Sequence, residues 1–127
     1  MVQGIATKTP RRYSLQIGAA DHIDVPSGLT AEEQRRNYVW SFLDHACEPN
    51  ARFEGRHLLA IRDIAAGETV TFHYATTEWA MAEPFRCRCG SVHCLGEVCG
   101  FRALPLAERQ RLHAWLAPHL LARFSAT

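Results

Sequence analysis

Four of the five cysteines fall in one short run, CRCGSVHCLGEVC, spaced Cys87-x-Cys89-x4-Cys94-x4-Cys99. Thiols crowded in this way are joined either by disulfides or by a metal. The N-terminal stretch MVQGIATKTPRRYSL has no continuous apolar segment of the kind an export signal needs. The chain is therefore read as soluble and cytoplasmic, a setting in which disulfide frameworks are rare. Metal binding is the favoured reading, with zinc as the metal. Zinc takes four thiolate or imidazole ligands in a tetrahedron, with sulfur at about 2.3 Å. Gly90 and Gly96 permit the tight turns that bring such ligands together. From the residues alone two ligand sets stay open: the four clustered cysteines, or three of them with the distant Cys47. His93 is a competing nitrogen ligand within the run.

The rest of the chain limits what such a site can belong to. A length of 127 residues is enough for one modest domain. The net charge of +1 gives no strong field toward nucleic acid or an anionic membrane, so neither partner is expected. No apolar stretch approaches the roughly 20 residues needed to span a bilayer. Lys8 is the only lysine, so modification of the chain's own lysines has a single internal target.

Local patterns predict mostly short strands. The first dozen residues read as loose. Tyr13, Leu15 and Ile17 alternate with polar residues, and DHIDVPSG gives a second extended piece. Thr30 with Glu33 forms a capping-box signature, which predicts a helix from Ala31 toward Phe42 with Tyr38, Val39 and Phe42 on its apolar side. ARFEGRHLLAIRDI reads as two strands around Glu54-Gly55. In VTFHY, the alternation of Val70, Phe72 and Tyr74 places all three on one strand face. TTEWAMAEPF reads as a linker into the cysteine run. Leu112, Trp115, Leu116 and Leu120 have helical spacing, with Pro105 suited to a first turn and Pro118 expected to kink or stop the helix.

Three stretches carry a family resemblance. FLDHACEPN resembles the SET-domain lysine methyltransferase signature Asn-His-Ser-Cys-x-Pro-Asn. GETVTFHY resembles the second signature of that family, Gly-Glu-Glu-Leu-Thr-Phe-Asp-Tyr, and CRCGSVHCLG resembles its post-SET zinc segment. They occur in the family's order and span about residues 13 to 101. The resemblance implies a mainly β, SET-like fold of small curved sheets with a knot-like crossing, a post-SET zinc segment and a C-terminal helix. The implied divisions are 1–83, 84–101 and 102–127.

The resemblance also implies a function and a set of site residues. It implies methyl transfer from S-adenosylmethionine to a lysine of a protein or peptide substrate. Tyr74 matches the catalytic tyrosine, and Phe72 matches a position that governs how many methyl groups are added. Asp44 and His45 match cofactor-contacting residues, His45 through its backbone. Cys47, Cys87, Cys89 and Cys94 match the zinc ligands, which leaves Cys99 spare. Trp79 and Phe85 are candidates for a lysine channel or for packing. Asn50 is expected to bond the backbone at a tight turn.

Three departures from the pattern qualify this. Asp44 stands where the family has asparagine, and an ionised aspartate only accepts hydrogen bonds. His73 stands where the family has aspartate. Gly4 alone precedes the first strand, where the family has a Gly-x-Gly segment that wraps the cofactor. A front strand pair is thus expected to be shortened, with the pocket completed otherwise, as in a homodimer. The competing expectation is a SET-like, zinc-stabilised binding module without catalysis.

Overall fold

β1 (Ile5–Thr7), β2 (Leu15–Gln16) and β3 (His22–Asp24) form an antiparallel sheet with β3 in the middle. The computed structural model describes residues 1–126. Within the first dozen residues, read as loose, Ile5–Thr7 is thus a strand, and Gly4 explains how. A Cβ on Gly4 would sit 2.8 Å from the Asp24 carbonyl oxygen and 3.0 Å from the Ile23 Cβ, so only glycine lets this backbone lie against β3. Gly4 serves strand packing here.

The capping box forms as read. Thr30 Oγ1 accepts from the Glu33 N–H at 3.1 Å and starts α1 (Ala31–Asn37). The helix stops earlier than the pattern predicts, because Val39–Phe42 tightens into a 3-10 turn. The expected apolar side is not the buried one: Val39 is 63% exposed and Phe42 42%. Trp40 is buried in their place, and its Nε1–H donates to the Gln3 carbonyl at 2.8 Å. That bond ties the turn to the N-terminal sheet.

β4 (Asp44–His45) pairs in parallel with β7 (Thr71–Phe72), which lays the two signature stretches side by side. Between them, β5 (Ala51–Glu54) and β6 (His57–Ala60) form the hairpin expected around Glu54-Gly55. Asn50 bonds the backbone with both ends of its amide. Its Nδ2 donates to the Thr69 carbonyl at 2.8 Å, and its Oδ1 accepts from the Thr71 N–H at 2.8 Å. The strand expected over VTFHY is shorter than its alternation implies. The chain leaves the ladder after Phe72, and Tyr74–Thr76 turns as a 3-10 helix capped by the His73 side chain.

β8 (Phe85–Arg86) and β9 (Glu97–Val98) pair across the cysteine run, completing a mainly β chain of small sheets. The tail is interrupted at Pro118, as expected, and also before it. α2 (Leu106–Arg111), a 3-10 turn at His113–Trp115 and α3 (Pro118–Ala126) share the apolar pattern that reads as continuous in sequence. Pro118 has no N–H to bond backward, so it opens a new helix instead of continuing the old one. No described helix is long and apolar enough to cross a membrane.

Two apolar clusters meet along the segment read as a linker. One contains Leu15, Ile23, Trp40, Phe53 and Phe72; the other contains Ala75, Phe101, Leu112, Leu116 and Leu120. Fully burying a side chain the size of Phe101 or Leu120 contributes roughly 1.5–3 kcal/mol. Thr76, Thr77 and Glu78 are buried between these clusters. The C-terminal half is laced to them by backbone bonds from Phe101 N–H to Glu78 O, 2.8 Å, and from Arg102 N–H to Trp79 O, 2.9 Å. Gly100 permits this approach: its φ is +115°, and a Cβ there would lie 2.7 Å from the Trp79 carbonyl oxygen.

His119 on α3 donates from Nε2 to the Thr77 carbonyl at 2.7 Å, while its buried Nδ1 has no partner among the described residues. Burial lowers its pKa, against the smaller raising effect of the Thr77 bond. The unfolded chain takes up a proton near pH 6.5 that the folded ring resists. The stability tied to His119 is therefore intact above that pH and is lost as pH falls toward the lowered folded value. Thermal unfolding followed from pH 8 to pH 5 will show Tm falling below about 6.5, and His119→Gln will reduce that slope. An equal slope in the variant would assign the acid sensitivity to other groups.

Candidate active site and cysteine cluster

Cys47 is fully buried just after β4, and the chain folds so that its sulfur meets the late cysteine run. The sulfurs of Cys47, Cys87, Cys89 and Cys94 all lie within 4.8 Å of one another, with Cys47 and Cys87 at 4.0 Å. Ligands at about 2.3 Å in a tetrahedron stand about 3.8 Å apart, so the spacing suits one zinc ion. Cys99 lies outside this group, although it continues the same sequence run.

The surroundings of the four thiols differ. Burial pushes the Cys47 thiol up to about 12, against the lowering effect of the Leu95 N–H that points at its sulfur from 3.4 Å. For the exposed Cys89, burial is the largest single effect and raises the thiol, but the backbone N–H groups of Ser91 and Cys47 with the Cys87 and Cys94 side chains together outweigh it and lower it to about 7. From the tail, Arg111 Nη2 donates to the Cys47 carbonyl at 3.0 Å and pairs with Glu108 at 2.9 Å. Nothing in the sequence singled out Arg111, because a cationic residue in the last turn of α2 looks like an ordinary solvated end.

His45 connects the cysteine group to Tyr74. Its Nδ1 accepts from the Tyr74 N–H at 3.1 Å, which puts the imidazole proton on Nε2. Nε2 stands 3.2 Å from the Cys47 sulfur, where that proton is donated. Burial lowers the ring's pKa to about 4, so it stays neutral. His73 stands edge-on to it with centroids 4.6 Å apart. Its Nδ1 accepts from the Ala75 N–H, its Nε2 has no partner among the described residues, and burial lowers its pKa to about 3.

The Tyr74 hydroxyl donates to the Leu43 carbonyl at 2.5 Å, which fixes the ring and leaves oxygen lone pairs free to accept. Burial, and then the Asp44 charge, raise its pKa to about 12, so it is a neutral phenol. The Phe72 and Tyr74 rings lie 4.9 Å apart, although the strand ends between them.

Two cavities meet at this phenol. A wide cleft of about 680 Å³ runs past Asp44, His45, Phe85 and the backbone of the cysteine run. A narrow one of about 70 Å³ is walled by Leu15, Trp40, Phe72 and Glu78. Leu43, Tyr74 and Met81 belong to both. Asp44 and His45 thus lie on the wide side, Phe72 on the narrow side and Tyr74 at the junction. Phe85 lines the wide cleft, whereas Trp79 packs on the C-terminal core with the Arg123 guanidinium 3.8 Å above its ring. Glu78 and Trp40 were not marked by the sequence, since no local spacing links them to Tyr74.

A family model described as SET domain matches residues 7–75. The chain is 31% identical over 111 residues to Methyltransferase flvH of Aspergillus flavus, a match covering 84% of this chain and 55% of that protein. It is 31% identical over 99 residues to the Drosophila melanogaster histone-lysine N-methyltransferase ash1, covering 68% of this chain and 4% of that protein. It is 29% identical over 104 residues to the H3 lysine-4 specific histone-lysine N-methyltransferase of Saccharomyces cerevisiae, covering 74% and 10%. The chain therefore spans about half the length of the first relative and a small part of the others. The match over more than half the chain, with methyltransferases as relatives, assigns this protein to the SET domain family.

Proposed function

We propose that the chain catalyses methyl transfer from S-adenosylmethionine to a lysine side chain of a protein substrate. The observation that carries this reading is the phenol of Tyr74 standing where a wide cleft and a narrow cavity meet. The wide cleft lies within the few hundred to a thousand Å³ usual for cofactor sites. Asp44 and Glu83 supply carboxylates there and Phe85 supplies an aromatic face, a wall that suits a cationic ligand with a flat ring. S-adenosylmethionine supplies an electrophilic methyl group on a sulfonium.

The chain's own groups do the positioning. Tyr74 Oη accepts a hydrogen bond from the incoming amine, while its own proton is committed to Leu43. The Leu43 carbonyl, in the shared wall, offers a weak acceptor toward a polarised methyl group. Fixing the two reactants in line is most of what such a displacement needs. The His45 side chain holds the Tyr74 backbone from one ring nitrogen and the Cys47 sulfur from the other, so it acts beyond any backbone contact to the cofactor.

Zinc-loaded protein will bind S-adenosylmethionine in a calorimetric titration and methylate members of a lysine-peptide library. Tyr74→Phe will lower turnover by about 100-fold or more while leaving cofactor affinity within a few-fold. No binding by fully loaded protein would defeat catalysis and favour a zinc-stabilised binding module.

We assign the zinc to Cys47, Cys87, Cys89 and Cys94. With cobalt in place of zinc, Cys47→Ser will reduce the sulfur-to-metal charge-transfer intensity from that of four thiolates to that of three. An unchanged thiolate count would instead bring Cys99 into the set.

Phe72 is buried with only carbon facing the narrow cavity. A tyrosine hydroxyl there would hold a water, whose share of liquid volume is about 30 Å³, in a space of about 70 Å³. Wild type is therefore expected to add two or three methyl groups. Phe72→Tyr will shift the product, read by mass spectrometry, toward monomethyl-lysine, and a wild type confined to one methyl group would remove the basis of this assignment.

A further inference from the structure

Glu78 is 9% exposed, yet it is one of the residues that line the narrow cavity with Tyr74. Its hydrogen bonds are unevenly divided. Oε2 accepts from the Gln16 N–H at 3.0 Å and from the Thr77 hydroxyl at 2.6 Å. Oε1 receives no hydrogen bond, and no cationic side chain pairs with the carboxylate among the described residues. The residue itself is held firmly. Its N–H bonds the Tyr74 carbonyl at 3.0 Å, its carbonyl accepts from Phe101 N–H at 2.8 Å, and the Gln16 Oε1 holds the next N–H at 2.8 Å.

A structural role explains only half of that side chain. Oε2 joins β2 to the segment after Tyr74, and a neutral amide would do the same. Oε1 is left as an unused acceptor on a residue that lines an aromatic-walled cavity, and an unpaired carboxylate is costly in such surroundings. Burial raises the Glu78 pKa to about 7, against lowering by the Thr77 and Gln16 bonds. The other titratable groups of this wall are Arg11, Arg12, Tyr13, Tyr74 and Glu83. Of these, the Tyr74 phenol feels the Glu78 charge directly.

We infer that Glu78 receives the ammonium group of the entering substrate side chain and takes its proton on Oε1. This rests on the lysine methyl-transfer reading above. An N–H proton passes from the ammonium to Oε1 and leaves a lone pair on nitrogen. That pair forms the N–CH3 bond as the C–S bond breaks, and the electrons of the broken bond stay on sulfur. The positive charge moves from sulfonium to methylammonium, and Oε1 releases its proton to solvent. Burial lowers an amine's pKa as it raises a carboxyl's, which narrows the gap to a lysine value of about 10.4.

The full chain, zinc-loaded and carrying 13C in its glutamate carboxyl groups, provides the test. One carboxyl will titrate near pH 7 and be missing in Glu78→Gln. Adding n-butylammonium will lower that midpoint, whereas n-butanol will leave it in place. On a lysine peptide, the wild-type rate will rise through that pH, and Glu78→Gln will lose the rise together with about 100-fold in kcat/KM. A midpoint indifferent to n-butylammonium, or a variant with the wild-type rate and pH profile, overturns the inference while leaving methyl transfer intact. A carboxyl that responds to n-butylammonium in protein unable to bind S-adenosylmethionine upholds the cation site and overturns the methyl-transfer reading instead. Because the titration uses wild type, it decides the matter even where Glu78→Gln fails to fold.

Discussion

The sulfur of Cys47 is the point on which the site depends. It lies 40 residues before Cys87 in the chain and 4.0 Å from its sulfur in space. Bringing these groups together closes the late cysteine run over the wide cleft, because Phe85, Cys87 and Cys89 all line that cleft. Cys47 and Cys87 are both buried, and thiols so close and so buried resist ionisation unless a cation offsets their mutual repulsion. With the zinc proposed for this group in place, folding of the run and capture of the metal would be one event, as in other small thiolate sites. Arg111 and the Leu95 N–H act on the same residue from two further directions, one at its carbonyl and one at its sulfur.

His45 extends that constraint to the chemistry. One imidazole spans the distance between a cysteine sulfur and the N–H of the tyrosine at the junction of the cavities. Its neutral state follows from burial, and its tautomer follows from its acceptor bond to Tyr74. The phenol is then held at both ends, by its backbone through His45 and by its hydroxyl through Leu43. A rigid phenol costs no reorganisation when charge moves nearby, which is what an orienting group requires.

The segment after Tyr74 differs most from its reading in sequence. TTEWAMAEPF has the composition of a linker, yet Thr76, Thr77 and Glu78 lie buried between two apolar clusters. Local periodicity carried no sign of this, because remote partners bond to these residues: Gln16 from β2, His119 from α3 and Phe101 from the turn before α2. The same cause moved the buried side of the helix after Thr30. Trp40 faces inward because the Gln3 carbonyl is there to accept its N–H. The tail illustrates the opposite case. Leu112, Leu116 and Leu120 keep their core positions through two breaks in the helix, since burial selects which side chains face inward and Pro118 decides only where the backbone restarts.

Sequence by itself determined the kind of chain this is. The two signature stretches, the hairpin at Glu54-Gly55, the capping box at Thr30 and the clustering of four thiols in one short run follow from residue types at short separations. Spacing alone left the membership of the cysteine group open, and it was silent on Glu78, Arg111 and the His45 bridge. Tertiary structure decided those. Each depends on atoms that become neighbours only when segments far apart in the chain are packed together, and no local pattern encodes such a distance.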